Sequence, residues 1–157
     1  MRPSFGMWLG LAGTVIVLDQ VTKALIVSIF RLGESRVVTS FFDLVFVFNA
    51  GAAFSFLRDA GGWQKWLFVT LACAISSWIV AMLRRHAGEW LQPAALSLIL
   101  GGALGNVIDR LRYDAVVDFL NFHWAGHYFP AFNVADSAIS VGVALMLWQQ
   151  LVHREAR

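Results

Sequence analysis

Charge is scarce in this sequence. Of its 157 residues, 14% are Asp, Glu, Lys or Arg, while 59% are apolar. Soluble domains carry about a quarter charged residues, so a water-facing globule fits poorly. The net charge of +2 is small and scattered, which argues against a nucleic-acid-binding surface. Cysteine is almost absent. Cys73 stands alone inside an apolar run, can form no internal disulfide and reads as a small packing residue. Internal repeats and low-complexity tracts are also missing. No small-x-small cleavage site follows the first apolar run, and Asp19 and Lys23 interrupt it, so that run reads as a retained span rather than a removable signal.

What is present is long apolar sequence. Four stretches stand out, at about residues 7–30, 66–83, 91–108 and 134–152. Each approaches the roughly 20 residues that cross a bilayer, which predicts one polytopic membrane domain over residues 1–157. Four spans put both termini on one side. Arg84, Arg85 and His86 form a tight basic turn on that side, which points to the cytoplasm because short cytoplasmic loops favour Lys and Arg. The two sides otherwise carry similar Lys/Arg numbers. Trp8, Trp90 and Trp148 are expected near one interface, and Trp63 and Trp66 near the other. Residues 36–57 are β-branched and aromatic, broken at Asn49-Ala50-Gly51. Short strands around a turn are expected there, lying at the membrane surface. The spacing Gly101-x-x-x-Gly105 predicts close helix packing, with room for a bound substrate as the sharper alternative.

Ionisable groups at membrane depth are costly and mark partnered or functional positions. Asp19 and Lys23 lie four apart on one helix face, as a self-sufficient ion pair would. Asn106, Asp109 and Arg110 end the third span. Asp109 and Arg110 could be a solvated exit, while the Asn106 amide, one turn inside, could bind a peptide backbone. Asp118 has apolar neighbours on both sides in Val116-Val117-Asp118-Phe119-Leu120, an environment that keeps a carboxyl protonated. Asp136 follows Asn133 by three residues, as in a capping box with Asp in place of Glu; at a helix start its negative charge is favoured. Two carboxyls in unlike surroundings are what hydrolysis without metal or nucleophile needs: one takes a proton from water and the other gives one. Which acid plays which part stays open on sequence grounds.

Competing chemistries are weaker. His123 and His127 have helical metal spacing, but the zincin Glu is missing and Gly126 weakens a helix, so no metal is expected. Ser137 and Ser140 lack a nucleophile elbow. A proton or ion relay through Asp19, Lys23, Asp109 and Asp136, or a non-catalytic scaffold, are the alternatives from other classes.

Five blocks occur in order: Leu18-Asp19-Gln20-Val21-Thr22-Lys23, Phe48-Asn49-Ala50-Gly51-Ala52-Ala53-Phe54-Ser55, Gly102 to Arg110, Val116-Val117-Asp118-Phe119, and Phe132-Asn133-Val134-Ala135-Asp136-Ser137. Together they resemble lipoprotein signal peptidase (signal peptidase II). The resemblance implies a mainly α membrane protein of four transmembrane helices with a small periplasmic β-sheet, in the bacterial inner membrane with cytoplasmic termini. It implies an aspartyl endopeptidase cutting prolipoproteins before a cysteine that carries diacylglycerol. Asp118 and Asp136 would be the catalytic pair. Asn49, Gly51, Asn106, Arg110, Asn133 and Ala135 would line the substrate pocket, and Asp19, Lys23 and Asp109 would support it. No cofactor is implied; globomycin is the expected inhibitor, membrane lipid the surroundings, and a monomer the expected state.

Overall fold

The computed structural model describes residues 3–51 and 61–155. The element order is α1 (Phe5–Ile29), β1 (Ser35–Thr39), β2 (Phe42–Asn49), α2 (Gln64–Arg85), α3 (Leu91–Tyr113), β3 (Val116–Trp124), β4 (His127–Tyr128) and α4 (Val134–Glu155). Among the described residues, four helices are long and apolar enough to cross a membrane: α1, α2, α3 and residues Val134–Val152 of α4. They match the four predicted stretches, extending several of them by a few residues. The part of the expected β-rich segment after Gly51, including Ala52 to Ser55, lies outside the described residues.

A bilayer provides no water, so backbone and hydroxyl groups must be satisfied internally. The helices do this along their length. Thr14, Ser77 and Ser97 donate to the carbonyls of Gly10, Cys73 and Pro93, each four residues back, at 3.0, 2.8 and 2.7 Å. Ser4 caps α1 by accepting the Met7 N–H at 3.3 Å.

Packing is organised around α3, which touches each of the other three helices. The buried residues of α1 are Trp8, Ala12, Val15, Asp19, Lys23 and Ile26. Their steps of three and four make one helical face, apolar at its start and charged in the middle. At the start, Trp8 and Ala12 join Ile79, Leu83, Leu96 and Leu100 in an apolar cluster. Trp8 is therefore core, not an interfacial anchor. Its ring N–H donates to Ala87 O at 2.9 Å, satisfying the polar edge that would otherwise seek the interface. Trp63, Trp66, Trp90 and Trp148 are exposed.

The glycines of α3 are filled by neighbouring helices, so the packing reading holds over room for substrate. A Cβ on Gly101 would lie 2.7 Å from Ala12 O and Val15 Cβ of α1, and one on Gly105 would lie 2.7 Å from Asp19 Oδ2. A Cβ on Gly102 would run into the Ala135 carbonyl of α4. Gly102→Ala should therefore force α3 from α4 and cost about 1–3 kcal/mol. Gly13→Ala, where nothing lies within 4 Å, should be neutral or mildly stabilising. Unfolding of both variants in detergent checks this, and equal midpoints would contradict it.

The sheet is antiparallel in the order β1-β2-β3-β4. The turn of the first hairpin falls between Thr39 and Phe42, not at Asn49-Ala50-Gly51, where β2 ends. The stretch around Asp118 is strand β3, paired to β2 with Val47 opposite Asp118 and Asn49 opposite Val116. Side chains alternate along a strand. One face of β3 thus carries Val117 and Phe119, which pack with Ile26, Phe30 and Phe46. The other face carries Val116 and Asp118, beside Val47 and Asn49 of β2. A slip of one residue would drive Asp118 into that apolar cluster, so the pattern pins the register.

Candidate active site

Val47, Asn49, Val116 and Asp118 form one wall of a cavity of about 870 Å³. The start of α4 (Asp136, Ser137, Ile139, Ser140), Asn106 and Arg110 of α3, and residues 129–132 complete it. Asp118 and Asp136 thus come together although 18 residues separate them. Asn133 joins them. Its NH2 donates to Asp118 Oδ1 at 2.7 Å, while its Oδ1 accepts the Asp136 N–H at 2.9 Å. The Asn133 N–H donates back to Asp136 Oδ2 at 3.3 Å. The capping box read from the sequence is therefore formed, and its Asn side chain serves a second purpose.

Asp136 Oδ1 also accepts the Asn106 NH2 at 2.7 Å, and Asp118 Oδ2 accepts the Asn49 NH2 at 3.2 Å. Burial first, and then the Asp136 charge, push the Asp118 carboxyl up to about 7 from its ordinary 3.8, against the opposing Asn49 and Asn133 amides. Asp118 is 2% exposed, and removing water disfavours the charged form. Unfolded, this carboxyl ionises near 3.8; folded, it keeps its proton to about 7. Between those values the folded state binds the extra proton, so Asp118 lowers stability progressively as pH rises. Asp118→Asn should remove that loss. Its thermal midpoint relative to wild type should improve between pH 4 and pH 7, and a pH-independent difference would contradict the assignment.

Beneath the two carboxyls lies a buried ion cluster. The Lys23 ammonium contacts Asp19 Oδ2 and Asp109 Oδ2, each at 2.8 Å, and donates to Asn106 Oδ1 at 3.0 Å. The expected pair of Asp19 and Lys23 is thus not self-sufficient, because Asp109 of α3 completes it. Nor is Asp109 a solvated exit. It is 1% exposed, and its Oδ2 accepts the Val117 N–H at 3.0 Å, which ties the cluster to β3. Asp19 Oδ1 accepts the Ala135 N–H at 2.9 Å, which ties it to α4. Gln20 was not singled out in the sequence, yet its NH2 reaches Gly105 O at 3.2 Å and Asp109 Oδ1 at 2.9 Å. The available signal was an amide inside an apolar span, itself an expensive placement.

Arg110 bridges α3 to the end of β2. Its guanidinium donates to Gly51 O at 3.1 Å and Asn106 O at 3.3 Å, and sits 5.0 Å from the Phe68 ring centre. Asn49, Gly51, Asn106 and Arg110 line the cavity, whereas Asn133 and Ala135 do not. Both are fully buried and spend their polar groups on Asp118, Asp136 and Asp19, so they hold the site rather than face a ligand. His123 and His127 lie on the β3–β4 hairpin, where His123 pairs with Tyr128 and His127 with Trp124. They point to opposite faces, so the helical spacing that suggested a shared metal does not apply. Ser137 Oγ donates to Asn133 O at 2.9 Å, an ordinary helix contact.

The chain matches the family described as Signal peptidase (SPase) II over residues 11–152. It is 55% identical over 153 residues to the lipoprotein signal peptidase of Azoarcus sp., covering 96% of this chain and 87% of that protein. It is 56% identical over 146 residues to the lipoprotein signal peptidase of Ralstonia nicotianae, covering 93% and 84%. Two solved bacterial membrane enzymes, both determined by the in meso method, share its fold. One has a TM-score of 0.88 at 30% identity, covering all of this chain and 96% of the other. The second has a TM-score of 0.83 at 32% identity, covering 96% of each.

Proposed function

This chain belongs to the signal peptidase II family and is a multi-pass membrane protease that processes prolipoproteins; on that premise we propose that it works as an aspartyl endopeptidase with Asp118 and Asp136 as the catalytic pair. It cleaves before a cysteine already carrying diacylglycerol. The observation that carries this reading is the Asn133 link: two carboxyls face one cavity, the Asp118 carboxyl held by the Asn133 side-chain NH2 and the Asp136 carboxyl by the Asn133 backbone N–H. One carboxyl takes a proton from water as the water oxygen attacks the scissile carbonyl carbon. The other gives its proton to the carbonyl oxygen, and the amine leaves with a proton as the C–N bond breaks.

Asn49, Gly51, Asn106 and Arg110 are the substrate-facing polar groups. The Arg110 Nε, buried and without a partner among the described residues, suits a substrate carbonyl. Asp19, Lys23 and Asp109 support the pair from below. The site lies at the bilayer's outer edge, where water and a laterally arriving lipid-modified substrate meet. Arg84 and Arg85, in the last turn of α2 at the other end of the bundle, favour cytoplasmic termini and a periplasmic site in the inner membrane. Globomycin blocks the site, and a monomer suffices because one chain supplies every group named.

The test is cleavage of a diacylglyceryl-modified prolipoprotein by purified protein in detergent, with product masses read directly. The expected product begins with the lipid-modified cysteine, and globomycin suppresses it. Cleavage at another bond, or activity only with an ion gradient, would overturn the proposal.

A further inference from the structure

Two asparagine side chains stand between the buried ion cluster and the carboxyl pair, and neither is free to turn over. An ammonium has donors and no acceptor. Lys23 already engages Asp19 and Asp109, and its contact with Asn106 requires the amide oxygen at that position. The Asn106 NH2 must then face Asp136. Asn133 is fixed in the same way, because a backbone N–H is also donor-only. The Asp136 N–H claims the Asn133 oxygen and turns its NH2 to Asp118.

Each carboxyl accepts one short and one long N–H contact, at 2.7 and 3.3 Å on Asp136 and at 2.7 and 3.2 Å on Asp118. Their places in the fold differ. Asp136 lies in the first turn of α4, where the helix start favours its negative charge, whereas Asp118 lies on strand β3, and its weaker contact is the one on Oδ2.

We propose that Lys23 is a positioning residue for the reaction: by holding the Asn106 oxygen it aims the amide NH2 at Asp136, keeps Asp136 the proton acceptor, and leaves the proton shared by the pair on Asp118 Oδ2. This deepens the aspartyl reading and rests on it. Asp136 then takes the proton from water and Asp118 delivers its own to the scissile carbonyl. The burial that holds the Asp118 carboxyl near 7 agrees with this division. Among the described residues, the charged groups around Asn106 and Asp136 are Asp19 and Lys23 from α1, Asp109 and Arg110 from α3, and Asp118 from β3.

Asn106→Asp separates the functions of the amide. A carboxylate at 106 still accepts from Lys23, so the cluster keeps its partner, but it cannot donate to Asp136. Expected is a fall in kcat of roughly 100-fold with KM changed far less, and an acid limb of the kcat profile displaced to higher pH. An unmoved acid limb, or a loss confined to KM, would overturn the proposal. Infrared spectra of folded protein at neutral pH test the proton's position independently of that variant. The protonated-carboxyl band of wild type should vanish in Asp118→Asn, and its persistence there would overturn the proposal. Failure of the underlying reading looks different: Asp118→Asn and Asp136→Asn would both still cleave.

Discussion

Asp118→Asn and Asp136→Asn should each lower prolipoprotein cleavage by roughly 10⁴-fold while the protein remains folded. Asn has nearly the size of Asp but cannot exchange a proton in this cycle, so the loss belongs to chemistry rather than packing. The two variants should part company in stability. At position 118 the substitution also leaves one amide N–H without its acceptor, but it removes a carboxyl that burial keeps from ionising until about pH 7, which offsets that loss, so the inactive variant should be about as stable as wild type at neutral pH. At position 136 both oxygens accept N–H groups, and an amide offers one oxygen. One donor loses its acceptor, at a cost of about 1 kcal/mol. Cleavage assays paired with thermal unfolding in detergent read both effects. Retained cleavage in both variants would remove the aspartyl pair and bring forward the ion-relay reading.

Lys23→Met should be the most destabilising single change in the chain, at about 3–5 kcal/mol. Met fills a similar volume, so the loss is electrostatic. Asp19 and Asp109, 0% and 1% exposed, would be left as buried carboxylates without their cation. Because these carboxylates also hold the Ala135 and Val117 N–H groups, the start of α4 and the strand carrying Asp118 should loosen together. Replacing Asp19 and Asp109 by Asn in the same variant should recover part of the stability, since no buried charge then lacks a partner. If the triple variant is no more stable than Lys23→Met, the loss is one of packing and the electrostatic account fails.

The family resemblance and the physics of the residues both point to Asp118 and Asp136, each acid for a different reason. Asp118 was legible because a carboxylate among Val, Phe and Leu has no cheap environment. Asp136 was legible through Asn133, whose distance of three residues is a local capping signal. The strand around Asp118 was also within reach, since Val116 to Phe122 is rich in β-branched and aromatic residues. Trp8 was misplaced because an indole near a span's end suits an interface or a core equally; Ala87 O, 79 residues away, decides between them.

The four spans, the glycine packing face of α3, the α4 cap and the presence of expensive polar groups are legible along the chain, because each depends on spacing within a few turns of one segment. Who partners whom is settled by the folded arrangement. Lys23 draws Asp109 from 86 residues away, Asn133 spans Asp118 and Asp136, and Asn133 and Ala135 turn from the cavity to hold it. A buried charge fixes the need for a partner, whereas the partner's identity depends on which helix faces come together, and α1, α3, β3 and α4 meet at one point only once folded.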